Sequence, residues 1–204
     1  MLPPAKITLS PHELQLVTNS EWILTKRVIT DKVFQLFGDL CEKMKGIIGQ
    51  QQAWLPVAVI NSEPKIYKGE NYRQLPYVLM DYPRCFDASN AFAIRTMFWW
   101  GNFFSITLHL GGDYKEMFAQ QLLKNEQGIR KCNYYICIND DQWQHHFETE
   151  NYLPVSSLEK EKLSDIICNR PFIKLALQYS LHQWEEIPGL LERSFYEMMQ
   201  LLKN

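Results

Sequence analysis

The stretch that decides the fold is residues 92–110, which read Phe92-Ala-Ile-Arg-Thr-Met-Phe-Trp-Trp-Gly-Asn-Phe-Phe-Ser-Ile-Thr-Leu-His-Leu110. Its β-branched and aromatic residues form two runs, and Gly101-Asn102 separates them. Two such runs joined by a two-residue turn of this type are typical of a β-hairpin. A transmembrane helix would have a similar length, but Arg95 and His109 interrupt the run and its composition favours strands. We therefore expect a hairpin at the centre of a sheet.

The turn sets the register of this hairpin. If Gly101 and Asn102 form the turn, Trp100 pairs with Phe103, and side chains then alternate between the two faces. One face is almost wholly apolar and should meet the core; it carries Trp99, Met97, Arg95, Ala93, Phe104, Ile106, Leu108 and Leu110. The other face is aromatic with interspersed hydroxyls; it carries Trp100, Phe98, Thr96, Ile94, Phe103, Ser105, Thr107 and His109. A slip of one residue would exchange these assignments.

Helical patterns lie on both sides of the hairpin. Ser10-Pro11-His12-Glu13 is a capping box that opens a short helix ending near residue 18. A second short helical segment is expected at 20–27. Apolar residues then recur with a helical period over 33–48, which predicts an amphipathic helix packed on the core. Further helices are expected at 113–124, at 157–167 and from Pro188 onward.

The remaining segments complete an α+β chain. Strands are predicted at 57–60, 65–68, 77–82, 92–100, 103–111 and 132–138, and residues 172–182 are interpreted as helical. Because helices and strands do not alternate regularly, a doubly wound fold is disfavoured. The expected architecture is an antiparallel β-meander sheet packed against N-terminal and C-terminal helices, in a single globular domain over 1–204.

Composition limits the classes of partner. The chain has a net charge of −2 with both signs interspersed, so it lacks the basic footprint of a nucleic-acid-binding protein. The five cysteines are scattered without a C-x-x-C pair, which indicates reduced thiols. The first residues contain no apolar signal segment. These observations predict a soluble cytoplasmic protein with no nucleic-acid partner and no membrane partner.

Arg95 is the main candidate for a functional residue. A charged group on an apolar sheet face must be paired or reach solvent. One interpretation is a salt bridge with Asp81 on the preceding strand. The other is a guanidinium presented to a carboxylate or phosphate ligand in a cleft that also contains Arg84 and His109. His109 itself is either a hydrogen-bonded structural residue or a base without an identified partner.

Two further groups of residues have competing interpretations. His145-His146, with Asp140, Asp141 and Glu148, resembles a set of metal ligands but lacks the i, i+4 spacing of a zinc motif. We interpret that segment as a solvated loop and predict no metal and no cofactor. The aromatic residues at the turn are either core packing or, if exposed, a surface for a partner protein or a homodimer; they are Trp99, Trp100, Phe103 and Phe104.

Several segments resemble a known group of proteins. They are Gly69-Glu-Asn-Tyr72, Leu75-Pro-Tyr77, Asp81-Tyr-Pro-Arg84 and Phe92–Ser105. In these residues the chain resembles a bacterial conserved-hypothetical protein family, a domain of unknown function. The resemblance implies no activity and assigns no catalytic residue.

Two functional hypotheses follow. The first is a binding or interaction module built on the aromatic hairpin, whose partner is a small molecule or a protein. The alternative is an enzyme or small-ligand sensor with an anion-binding cleft around Arg95. Gly-rich phosphate loops and the G-x-S-x-G elbow are absent from the sequence, which weakens the enzyme hypothesis.

Overall fold

A computed structural model describes residues 7–51 and 53–203 of the chain. The helices of this described part are α1 (Pro11–Thr18), α2 (Glu21–Gly49), α3 (Val57–Ile60), α4 (Asp113–Lys124), α5 (Glu126–Lys131), α6 (Lys160–Asn169) and α7 (Ile187–Leu202). The strands are β1 (Lys65–Tyr72), β2 (Leu75–Phe86), β3 (Ala91–Trp99), β4 (Phe103–Gly111), β5 (Tyr135–Cys137), β6 (Tyr152–Pro154) and β7 (Phe172–Ser180). All strand pairs are antiparallel, in the order β1-β2-β3-β4-β7-β5-β6. The predicted α+β class is confirmed.

The helices pack on one face of the sheet, here called the inner face. Helices α2, α4, α6 and α7 contribute buried apolar residues to the same cluster as alternate residues of the central strands. On β4 these are Phe104, Ile106, Leu108 and Leu110, none of which is exposed. The opposite face, here called the outer face, carries two smaller apolar clusters made by strands and by a loop. Because none of the helices named above covers the outer face, its side chains are the ones that could contact a ligand or a partner.

The hairpin is present, but its predicted register is wrong. Trp99 pairs with Phe103 and Phe98 with Phe104, so the loop has three residues, 100–102. Asn102 N–H donates to Trp99 O at 3.0 Å and Gly101 has φ 72°, which fits a type II turn with glycine at its third position. The one-residue slip reverses the faces of β3 alone. Trp99, Met97, Arg95 and Ala93 therefore lie on the outer face with Ser105, Thr107 and His109.

Residues 172–182 were expected to be helical, and this was wrong. Strand β7 lies between β4 and β5 near the middle of the sheet. Its side chains alternate strictly, with Lys174 and Ala176 on the outer face and Ile173 and Leu175 in the core. Leu, Ala, Lys and Gln favour helices, but burial between two strands overrides that preference.

Three smaller expectations also change. Val57–Ile60 is one turn of helix rather than a strand, and the segment at 20–27 joins the following helix as one continuous α2. Strand β2 continues past Pro83, where the pairing with β3 shifts between Asp81 and Arg84. Proline is tolerated at this bulge because its missing backbone N–H is not needed for a hydrogen bond between the strands. None of the helices in the described part of the chain combines the length and hydrophobicity needed to cross a bilayer.

Candidate functional site on the outer face

The sheet register brings four charged or titratable side chains together on the outer face. Asp81 pairs with Arg95 across β2 and β3, and His109 pairs with Lys174 across β4 and β7. Arg95 also pairs with Thr107, two residues before His109. Asp81, His109 and Lys174 are each at least 96% buried, with exposures of 2, 4 and 1%. A polar cluster this deeply buried needs a partner for every charge.

Arg95 and Asp81 form the bidentate salt bridge that was the first interpretation of this arginine. Arg95 Nε donates to Asp81 Oδ1 at 2.7 Å and Nη2 donates to Asp81 Oδ2 at 2.8 Å. Burial opposes the charge on Arg95, but the hydrogen bonds and charge of Asp81 outweigh it and raise the pKa of the guanidinium. The Asp81 side chain is 3% exposed, whereas that of Arg95 is 12% exposed. Arg95 is therefore paired and still reaches the surface at its tip.

The tip of Arg95 contacts two further side chains. Its Nη1 lies 3.1 Å from His145 Nε2, and its Nη2 donates to the Tyr67 hydroxyl at 3.4 Å. Because guanidinium nitrogens only donate, His145 Nε2 accepts this hydrogen bond and the ring is neutral. Burial, with the charges of Lys174 and Arg95, holds the pKa of His145 well below its usual range. These bonds leave one of the five Arg95 N–H groups for another acceptor.

Lys174 attaches the sheet to residues 138–151, here called the cover loop. Its Nζ donates to Gln142 O at 3.0 Å and also to Gln144 O. The ammonium lies 5.3 Å from the centre of the Tyr152 ring. Burial is the main cause that lowers the pKa of Lys174 to about 8, while Cys137 acts to raise it and the Arg95 charge acts to lower it. Lys174 is thus a buried cation whose hydrogen-bond acceptors are uncharged carbonyl groups.

His109 is a structural contact to the same loop. Its Nε2 lies 2.9 Å from Gln142 Oε1, and its ring packs near Phe86, Trp143 and Phe172. Burial, then the charges of Lys174 and Arg95, lower the pKa of His109 to about 3. At neutral pH the ring is therefore uncharged and a poor proton acceptor. The geometry favours the hydrogen-bonded interpretation of His109 over a role as a base.

The expectation that His145 and His146 lie in a solvated loop was wrong. His146 is 6% exposed. The Tyr72 hydroxyl accepts from His145 N at 2.6 Å and from His146 N at 3.1 Å, and it lies 2.9 Å from His146 Nδ1. With both lone pairs of the phenol used, its O–H is free to donate, and His146 Nδ1 is a closer acceptor than Gln144 Oε1, which lies 3.4 Å away. When the phenol donates to Nδ1, that nitrogen carries no proton, and the ring N–H lies on Nε2.

The tautomer of His146 affects whether this residue could bind a metal ion. His146, Glu148 and Glu150 are the one group of metal-ligand types brought together in the described residues. A metal on Nε2 would move the ring proton to Nδ1, against a phenol oxygen that already accepts two N–H groups. Nε2 instead faces Glu150 Oε1 at 3.3 Å, while Glu148 pairs with Arg73 at 3.0 Å. The hydrogen bonding thus favours a protonated Nε2 over a metal ligand.

An open groove lies beside Arg95 on the outer face, with a volume of about 390 Å³. We call it the tyrosine groove; its lining residues are Tyr67, Tyr72, Tyr77, Leu79, Arg95, Met97, Trp143 and His145. The Arg95 guanidinium lies 5.7 Å from the centre of the Trp143 ring. Tyr77 packs against Gly69, where a Cβ would lie 2.4 Å from the phenol ring. The groove has the composition of a ligand site, mostly aromatic and apolar with a few polar groups.

The residues predicted to form a ligand site fall into two sets. Arg95, Asp81 and His109 are brought together on the outer face, whereas Arg84, Trp100 and Phe103 lie apart from them. Arg84 is exposed beside the Phe86 ring, 5.7 Å from its centre, outside the groove. Trp100 packs against Phe98, and Phe103 packs against Trp99 and Phe147. The turn aromatics are thus largely packed, and Trp99 and Phe104 are 4 and 0% exposed.

Sequence reasoning missed several residues of the site. Lys174 lay in the segment interpreted as helical, although the alternation of Lys174, Ala176 and Gln178 with Ile173, Leu175 and Leu177 is a strand pattern. That alternation was the available signal. Tyr67 lay in a predicted short strand and His145 in the possible metal-ligand group, whereas Tyr72 and Trp143 had no signal. The approach of all four to Arg95 depends on the pairing of β1 and the path of the cover loop.

No protein-family model, curated protein or solved structure was found to match this chain. The function of the chain is therefore inferred from the geometry of the outer face.

Proposed function

We propose that the chain binds a small planar molecule bearing an anionic group, in the tyrosine groove. The observation that carries this proposal is that Arg95, with one N–H left after its side-chain hydrogen bonds, lines an open groove walled by three tyrosines and Trp143. An aromatic ring of the ligand would lie against these side chains. Its anionic group would accept from Arg95.

The charge of the buried cluster favours an anion. Arg95 and Lys174 carry two positive charges and Asp81 one negative charge, while His109 and His145 are held neutral. The cluster thus has a net charge of about +1, because Lys174 remains largely protonated at neutral pH. A ligand anion in the adjoining groove would offset that charge in a low-dielectric setting.

The proposal places ligand binding on the outer side of the aromatic hairpin. Strand β3 supplies Arg95 and Met97 to the groove, while the other side of the hairpin packs on the helices. We further propose a cytoplasmic location, which the five free cysteines support because reduced thiols are typical of that compartment. Membership of the bacterial family that the sequence resembles remains a prediction.

Thermal-shift and calorimetric titrations with matched ligands test the proposal. Benzoate and phenyl phosphate should raise the melting temperature, whereas neutral benzamide should not, because a ligand that binds only the folded state stabilises it by mass action. Tyr67→Phe and Trp143→Ala should each weaken benzoate binding by about threefold to tenfold. Tyr196→Phe, on the exposed surface of α7, is the matched control and should bind normally. Equal responses to benzamide and benzoate, or no response to any of the three, would contradict the proposal.

A further inference from the structure

Residues 7–28, here called the N-terminal arm, contain a short non-helical lead, helix α1 and the first two turns of α2. Helix α1 buries none of its residues, and the first buried residue of α2 is Val33. Helix α2 has 29 residues and is therefore about 43 Å long. Its first turns bury no residue, and Lys26 there forms an exposed ion pair with Glu70 of β1 at 2.6 Å. Trp22 Nε1 donates to Leu16 O at 3.1 Å, which links α2 to α1. The arm is thus a defined helical element that adds no buried residue to the core of its own chain.

The arm carries most of the exposed large apolar side chains of the described residues. Nine of fourteen lie there, namely Ile7, Leu9, Leu14, Leu16, Val17, Trp22, Ile23, Leu24 and Val28. Their exposures range from 40 to 82%. Helices that are apolar on several faces are normally buried, and a large exposed apolar patch marks an interaction surface.

We infer that the N-terminal arm is the interface through which two copies of this chain pair. A large apolar side chain has about 60–120 Å² of apolar surface, the area that corresponds to about 1.5–3 kcal/mol at about 25 cal/mol per Å². Since the nine side chains are 40–82% exposed, together they present on the order of 500 Å². A stable dimer buries about 800 Å² per partner, of which about 65% is apolar, so the arm supplies roughly the amount that one side needs. A two-fold axis would place the same arm surface on both sides of the contact.

The charge of the arm also fits a second copy. Its acidic residues are Glu13 and Glu21 and its basic residues are Lys26 and Arg27, so the formal charges within the arm cancel. Lys26 is already paired with Glu70 of β1, so the arm has no excess of basic charge. A helix that lies on an anionic membrane needs a basic polar face, and a nucleic-acid surface needs clustered basic residues. Two neutral apolar surfaces meet without a net electrostatic penalty. This inference goes beyond the proposed ligand site and does not depend on it.

Sedimentation equilibrium of the full chain tests the pairing. The wild type should sediment as a dimer at micromolar concentrations. Leu24→Glu and Val28→Glu should each weaken dimerisation by about a hundredfold or more, because the two-fold axis buries the new charge twice. Met117→Glu is the control; it places the same charge at a position on α4 that is 56% exposed and should leave the dimer intact.

Circular dichroism of each variant should show unchanged helix content, since the altered side chains are exposed. A monomeric wild type, or arm variants as dimeric as the wild type, would overturn the inference. So would a monomeric chain that floats with phosphatidylserine vesicles and loses this property in Leu24→Glu, because the occupant of the arm would then be a lipid surface.

Discussion

At the scale of single residues, the pairing of Arg95 with Asp81 organises the outer face. The carboxylate is 3% exposed and its two oxygens accept from Nε and Nη2 of the same guanidinium. The other nitrogen of the fork holds His145 on the cover loop. One side chain thus stabilises a buried carboxylate, orients a histidine and forms part of the groove.

Removing Arg95 alone should be much more costly than removing the pair. Arg95→Met leaves Asp81 buried and unpaired, and should lower the free energy of unfolding by about 3–5 kcal/mol. The double variant Asp81→Leu with Arg95→Met should lose much less free energy of unfolding, since it leaves no unpaired charge in the buried site. Urea unfolding of the wild type, both single variants and the double variant completes the cycle. Additive losses would show that the two residues do not act as a pair.

At the scale of elements, β1 and β2 form one wall of the tyrosine groove, and a glycine in β1 makes room for a tyrosine ring of β2. Gly69 pairs directly with Tyr77, whose ring packs across it in the space that a side chain would fill. Gly69 does not adopt a positive φ, so its role here is the close approach of the ring rather than a strained backbone. The position of Tyr77 therefore depends on a missing side chain in the neighbouring strand.

Gly69→Ala should displace the Tyr77 ring and reshape the tyrosine groove. We expect benzoate affinity to fall by about tenfold, with a modest loss of stability of about 1 kcal/mol, because the phenol tip can rotate away. Isothermal titration calorimetry and chemical unfolding measure the two effects. Gly46→Ala in α2, where a Cβ has no atom within 4 Å, is the control and should stabilise the helix slightly. Unchanged affinity in Gly69→Ala would separate Tyr77 from ligand binding.

At the scale of the whole molecule, the buried cluster links stability to pH. The pKa of His109 is about 3 in the folded chain, below its ordinary value of 6.5. Between these values the unfolded chain binds more protons than the folded chain. The free energy of unfolding therefore falls as the pH falls through this window, and His145 acts in the same direction because its pKa is also lowered.

His109→Gln should reduce this loss of stability in acid. Between pH 7 and pH 4, the wild type should lose about 3 kcal/mol more than the variant, since protons bind to His109 only in its unfolded chain. Urea unfolding at a series of pH values measures the difference. His12→Gln, at an exposed position of α1, should follow the wild type. Parallel pH profiles for the wild type and His109→Gln would contradict the buried neutral histidine.

The sequence alone determined the α+β class and the position of the hairpin, and it named Asp81 as one of two possible partners of Arg95, the other being an anionic ligand. These follow from local periodicity, from turn residues and from the rule that a charge on an apolar face needs a partner. The amphipathic stripe of α2 and the capping box at Ser10 and Glu13 were equally readable, because their interactions lie within a few residues along the chain.

Tertiary structure decided the faces of β3 and the membership of the site. Whether Gly101 occupies the second or third position of its turn shifts the register by one residue, which sends Arg95 to the core or to the outer face. Lys174 joined the cluster only because β7 inserts between β4 and β5, against the helical preference of its residues. His145 reached Arg95 through a cover loop without periodicity. Long-range strand pairing and burial therefore assembled a site whose parts lie far apart in the sequence.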